Sequence, residues 1–114
     1  MKVARAVPTE GISEKLSVQR LSEALGVRNL RANVFTLAGG SMSKHMHREQ
    51  EQVYLALDGT AMIDVDEEQF KVGERKALAV PARARRRVAN VGYGPLTFFV
   101  AAAPAVDAAA EIAG

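Results

Sequence analysis

The chain has 114 residues, 48% of them hydrophobic and 25% charged, with a formal net charge of +2 and no cysteine. That length fits a single domain spanning residues 1–114, able to bury about two-thirds of the surface its unfolded chain exposes. Thiol catalysis, disulfides and thiolate metal ligands are excluded together, no window approaches the roughly 20 apolar residues of a membrane span, and MKVARAVPTE lacks the apolar stretch of a secretory signal, so the expected location is cytoplasmic.

In chain order, residues 1–11 read as a loose arm. SVQRLSEALG follows, where Leu21, Ala24 and Leu25 ahead of Gly26 suggest a short helix with a glycine stop. From residue 30 the pattern changes to short apolar runs separated by turn residues, which predicts strands. LRANVFTLAGG is the first, ending at Gly39-Gly40. QVYLALDG is the second, stopped at Asp58-Gly59, and its alternation places Gln52, Tyr54 and Ala56 on one face and Val53, Leu55 and Leu57 on the other. TAMIDV and QFKV flank the acidic turn DEEQ as a hairpin. KALAVP, RRRVANVG and PLTFFVAAAP complete the set, and AVDAAAEIAG at the end reads as a frayed helix or a disordered tail. Strands at this spacing predict an all-β sandwich or small barrel, with the barrel at about residues 30–104.

Two features carry candidate chemistry. The only two histidines, His45 and His47, are two residues apart. On a strand, residues i and i+2 share a face about 6.6 Å apart, so both imidazoles can aim at one point and bind a divalent metal, with Glu49, Gln50, Glu51 and Gln52 close by as further donors. On that spacing alone, two histidines on an exposed strand are the commoner arrangement, and the surrounding pattern is what favours a site. The second feature is the basic run Arg83, Arg85, Arg86 and Arg87. With no aromatic residue interleaved and no reading helix, it is read as a solvated strand face, and nucleic acid is not an expected partner.

The segment from Gly39 resembles the first motif of the cupin family, the small double-sheet jelly rolls. Gly39, five residues, His45-Met46-His47, four residues, Gln52, six residues and Gly59 reproduce its spacing, with Gln52 standing where the family usually has glutamate. The second motif is degraded. Pro81 and Asn90 match, while its glycines fall on Arg75 and Arg83 and its metal-ligand histidine falls on Arg86. The resemblance implies a cupin-type double-stranded β-helix, or jelly-roll barrel, with a short N-terminal arm. It also implies a site for a small molecule within the barrel and pairing as a homodimer, for which the Val53, Leu55 and Leu57 face is suited.

Two functional readings stay open at this level. In one, His45, His47 and Gln52 hold a divalent transition metal (Mn, Fe, Ni, Co or Zn), Arg86 orients an anionic or sugar-like substrate, and the protein is a dioxygenase, isomerase or lyase. In the other, the barrel is metal-free and non-catalytic, and Arg86, Tyr54 and Glu51, with the histidines, line a pocket for a small ligand. An arginine cannot lose its proton and so cannot replace the histidine as a ligand. No organic cofactor is indicated.

Overall fold

The structure is a computed structural model that describes residues 4–106 and 111–112. In chain order its elements are β1 (Thr9–Gly11), β2 (Leu16–Arg20), α1 (Leu21–Leu25), β3 (Arg31–Leu37), β4 (His45–Met46), β5 (Glu51–Asp58), β6 (Ala61–Val65), β7 (Glu68–Val72), β8 (Ala77–Val80), β9 (Arg85–Asn90), β10 (Leu96–Ala103) and β11 (Glu111–Ile112). They form two antiparallel sheets. One runs β1-β2-β3-β10-β5-β8 and the other β11-β4-β9-β6-β7. A shared core joins them, with Leu37, Tyr54 and Phe98 from the first sheet packed with Ile63 and Val88 from the second. This is all-β, as the strand pattern predicts, and it takes the jelly-roll form that the motif resemblance implies. No helix among the described residues is long and apolar enough to cross a membrane.

Strand alternation decides which side chains reach the interior. On β5, Gln52, Tyr54 and Ala56 are buried while Glu51 and Val53 are exposed. On β9 the same rule buries Arg86 and Val88 and leaves Arg85 and Arg87 in solvent. Arg87 there pairs with Asp64 of β6 at 2.9 Å. On the outer face of the first sheet Phe99 lies in register with Val34 of β3 and Leu55 of β5, which makes an apolar row facing away from the core.

The front end is more regular than its sequence suggests. The arm expected to be loose pairs from Thr9 to Gly11 with β2, and the expected helix is confined to α1, with Gly26 at φ +69° as its left-handed stop. Residues 16–20 are a strand because Val18 is buried beneath the sheet, a tertiary gain that local helix propensity does not register. At the other end, Glu111 and Ile112 pair with β4 instead of continuing a helix. The rest of that expected tail, residues 107–110 and 113–114, lies outside the described residues.

Two turns keep backbone shapes whose usual residue is absent. Arg75 and Arg83, at the glycine places of the second motif, have φ of +66° and +71°, so the loop retains the left-handed geometry although side chains now occupy it. Arg83 donates its backbone N–H to the carbonyl of His47 at 2.7 Å, which ties this loop to the histidine segment. Gly59 cannot be replaced as easily: at φ +87°, a Cβ there would lie 2.7 Å from the carbonyl oxygen of Pro95.

Candidate functional site

The barrel holds a cavity of about 350 Å³ bordered by His45, His47, Gln50, Gln52 and Tyr54, with Phe35, Met42, Phe98 and Val100 as its apolar wall and Arg20, Arg31 and Asn33 on its first-sheet side. No aspartate or glutamate borders it among the described residues. The size is within the range of about 300–1,000 Å³ usual for small-molecule sites.

The two histidine rings stand nearly perpendicular, their centroids 5.3 Å apart. His45 Nδ1 lies 3.0 Å from the carbonyl oxygen of Ser43. A carbonyl can only accept, so Nδ1 carries the proton and Nε2 is left with its lone pair. Burial lowers the pKa of His45, the bond to Ser43 acts the other way, and the Arg86 cation adds to the lowering. His47 is pushed down to about 4 by burial, by Arg86 and by His45. Both rings are therefore neutral at pH 7.

Arg86 sits directly across the β4–β9 ladder from His45 and is 0% exposed. Its Nη1 donates to Gln52 Oε1 at 3.2 Å and its Nη2 to the carbonyl of Pro81 at 3.0 Å. Its Nε is buried with no hydrogen-bond partner, and no carboxylate among the described residues forms an ion pair with it. Burial works against the charge and lowers the pKa, with Tyr54 and Asp66 opposing, but a guanidinium starts so high that it remains protonated.

Gln52 is the hinge of the arrangement. Tyr54 donates its hydroxyl to the same Oε1 at 2.6 Å, and burial raises the Tyr54 pKa to about 12, so the phenol keeps its proton despite the nearby Arg86. Arginine has only donors, which fixes the amide: oxygen toward Arg86 and Tyr54, nitrogen the other way. Gln52 borders the cavity, and Nε2 is not among the buried, unpartnered side-chain atoms of the described residues. Its two N–H donors are what Gln52 offers a ligand.

These positions do not fit a divalent metal as they stand. Of the three donors expected from the spacing, His45 and His47 remain available, while the Gln52 oxygen is already shared by two donors and the fourth position holds a fixed cation that both imidazoles feel. Among the described residues no three His, Cys, Asp or Glu side chains come together as a metal cluster. Glu51, named as a ligand-binding candidate, is exposed on the outward face of β5, as alternation from Gln52 requires. Arg86 does not border the cavity either; it lies behind Gln52 and holds the oxygen of that amide.

Sequence reading missed Arg20, Arg31 and Asn33. Arg31, Asn33, Phe35 and Leu37 share the inward face of β3, and the polar end of that alternating row was the available signal. Arg20 is held by Glu10 in an exposed ion pair at 3.0 Å.

One consequence of the neutral histidines is an acid-sensitive fold. Both folded pKa values are lowered from 6.5, so between about pH 6.5 and 4 the unfolded chain binds more protons than the folded one. Stability is then complete above pH 6.5 and is lost as pH falls toward 4. His47 is only half-buried, so solvent screening limits its share to about 1–2 kcal/mol. Urea midpoints at pH 7.5 and 4.5 should show this loss, and His47→Gln should shrink it. An unchanged difference in that variant would assign the acid sensitivity elsewhere.

A double-sheet jelly roll with a cavity between its sheets places the chain in the class of jelly-roll barrels. The model of the cupin domain, Cupin_2, matches residues 33–102, and the chain belongs to that family. An uncharacterised protein of Methanocaldococcus jannaschii, MJ1618, is 25% identical over 79 residues, a match covering 69% of this chain and 63% of that protein. Among solved structures, the polyketide cyclase RemF from Streptomyces resistomycificus superposes with a TM-score of 0.84 at 18% identity, covering 100% of this chain and 86% of that one. A sugar phosphate isomerase from Silicibacter pomeroyi superposes with a TM-score of 0.72 at 24% identity, covering 78% of this chain and 59% of that one. At these identities the two structures establish the shared fold.

Proposed function

We propose that this cupin binds a small organic anion inside its barrel without a metal. The observation that carries the reading is Arg86: a fully buried guanidinium with an unpartnered Nε and no ion-pair partner among the described residues, Asp66 acting on it only from beyond contact. A buried charge normally has a counter-charge, and the cavity next to it has no acidic residue on its wall among the described residues. An anionic ligand supplies the counter-charge that the described wall lacks.

The ligand's oxygen accepts from the Gln52 amide, and Arg86 acts one amide behind it, polarising the Gln52 carbonyl and strengthening its N–H donors. The lone pair on His45 Nε2 suits a ligand hydroxyl, so a hydroxy acid fits better than a simple acid. Phe35, Phe98, Met42 and Val100 provide an apolar wall for its carbon body. The folds it shares with a polyketide cyclase and a sugar phosphate isomerase are consistent with an organic ligand in the barrel. In this reading the apolar row of Val34, Leu55 and Phe99 pairs two copies of the chain, which a solution mass of one chain would refute.

Calorimetric titration at pH 7.5 tests the site. Mandelate, which carries a carboxylate, a hydroxyl and a ring, should bind saturably at one site per chain. Mandelamide, of similar shape and no charge, should bind at least tenfold more weakly, and phenylacetate, which lacks the hydroxyl, should fall between. Equal binding of acid and amide, or none by either, would overturn the reading.

A further inference from the structure

A second and larger cavity of about 590 Å³ lies along the inner face of β2 and β3. It reaches from Ile12 and Leu16 to Leu37 and is closed on its far side by the 39–43 loop. The fold explains why it stays open. The first sheet extends to β1 and β2, while the strand facing this region, β4, is only two residues long, so a loop covers these apolar residues where a strand would otherwise pack. Leu16, Phe35 and Met42 pack against the core yet remain only partly buried.

This trough adjoins the barrel cavity. Phe35, Met42 and His45 border both. Along β3 the inward residues divide between them: Arg31 and Asn33 face the inner chamber, Leu37 the outer, and Phe35 stands at the junction. One end is therefore electropositive and donor-rich, at Gln52 and Arg86, and the other is mostly apolar, with the exposed Glu14 and Lys15 on its lining, and opens to solvent at Ile12, which is 48% exposed.

We infer that the two chambers form one site for an amphipathic anion, with its charged head at Gln52 and its aliphatic tail running past Phe35 and Met42 into the trough. This rests on the barrel being an anion site and deepens that reading by naming the ligand class. The tail is the occupant because the trough shares Phe35, Met42 and His45 with the head site, so a flexible chain that moves those side chains apart reaches both, as a folded partner's surface does not. Burial of each tail methylene tightens binding, by up to about fourfold per carbon, until the trough is filled.

Titration of the full chain with butanoate, hexanoate, octanoate and decanoate, each below its micellar concentration, tests the inference. Affinity should climb steadily along the series. Ser41→Phe, at an exposed position on the trough's wall, should cut decanoate binding at least tenfold while leaving butanoate within about twofold. Ile12→Ser, at the exposed lip, should weaken decanoate about threefold and serves if the bulkier change disturbs the loop. Butanoate binding with no gain along the series, or decanoate binding unaffected by both variants, overturns the amphipathic site and leaves the anion reading standing. Binding of none of the four overturns the inference, and overturns the anion reading with it when mandelate titrated alongside also fails to bind. A dimer in solution that either trough variant splits would give the trough to a second copy and also overturn the inference.

Discussion

Replacing Arg86 with methionine is expected to leave the protein folded, with a melting temperature equal to or above that of the parent, while binding of mandelate falls about 10- to 150-fold. The affinity loss is that of one hydrogen-bond system to a charged group, about 1.5–3 kcal/mol. The stability side follows from the state of the guanidinium without ligand. It is fully buried, has one unpartnered nitrogen, and forms no ion pair among the described residues, with Asp66 acting only from beyond contact. Its bonds to Gln52 and Pro81 offset part of the desolvation cost, but exchanging buried ions for apolar residues of similar size is commonly neutral or stabilising by about 1–4 kcal/mol. For a domain of this size each 1 kcal/mol moves the melting temperature by about 4–8 °C.

The two effects point in opposite directions, and that opposition separates a ligand site from a structural role. A structural arginine would lower the melting temperature when removed and leave ligand binding unmoved. Arg86→Lys refines the comparison. It keeps the charge but cannot span from the Gln52 carbonyl to the Pro81 carbonyl with two nitrogens, so Gln52 loses part of its fixed orientation and binding falls by an intermediate amount. Melting curves with and without mandelate check all three proteins in one experiment: the ligand-induced rise seen in the parent should vanish in Arg86→Met.

Most of the fold was legible because it rests on period-two patterning. The alternation from Gln52 through Ala56 and around Arg86 sets which side chains turn inward, and no tertiary information is needed for that. The strand at residues 16–20 was not legible because it depends on Val18 finding a sheet to lie beneath. The chemistry was legible by halves. Spacing alone brings His45, His47, Gln52 and Arg86 to one end of one barrel. It says nothing about which end of an amide faces which neighbour, and the difference between a metal ligand and a hydrogen-bond donor at Gln52 is a rotation of that amide by half a turn. Tyr54 decides it together with Arg86. Arg86 itself was expected to touch the ligand; the depth at which a long side chain stops is a packing property, and here it stops behind Gln52.

On the metal-free reading, combining Gln52→Glu with Arg86→His is expected to create a divalent-metal site. In the parent, the inner positions carry one fixed positive charge from Arg86 and none from Gln52, and the only oxygen that Gln52 can offer a metal accepts from two donors. The double variant removes the cation, adds one carboxylate and adds a third imidazole beside His45 and His47, across the ladder from His45. Three imidazoles and a carboxylate suit a first-row divalent ion with water completing its shell. Each single change should fail for its own reason. With Gln52→Glu alone, the new carboxylate pairs with Arg86, which ties it up and places a negative charge where the anion should sit, so this variant gains stability and loses mandelate binding. With Arg86→His alone, the Gln52 oxygen stays bonded to Tyr54 and the site gains no negative charge.

Cobalt titration followed by visible absorption, with elemental analysis after gel filtration, checks the series of parent, two single variants and double variant. Near-stoichiometric metal in the double variant only is the expected pattern. Stoichiometric metal in the parent that His45→Ala with His47→Ala removes would show that Gln52 turns its oxygen to the ion despite Arg86, and the metal-free account of this barrel would fall.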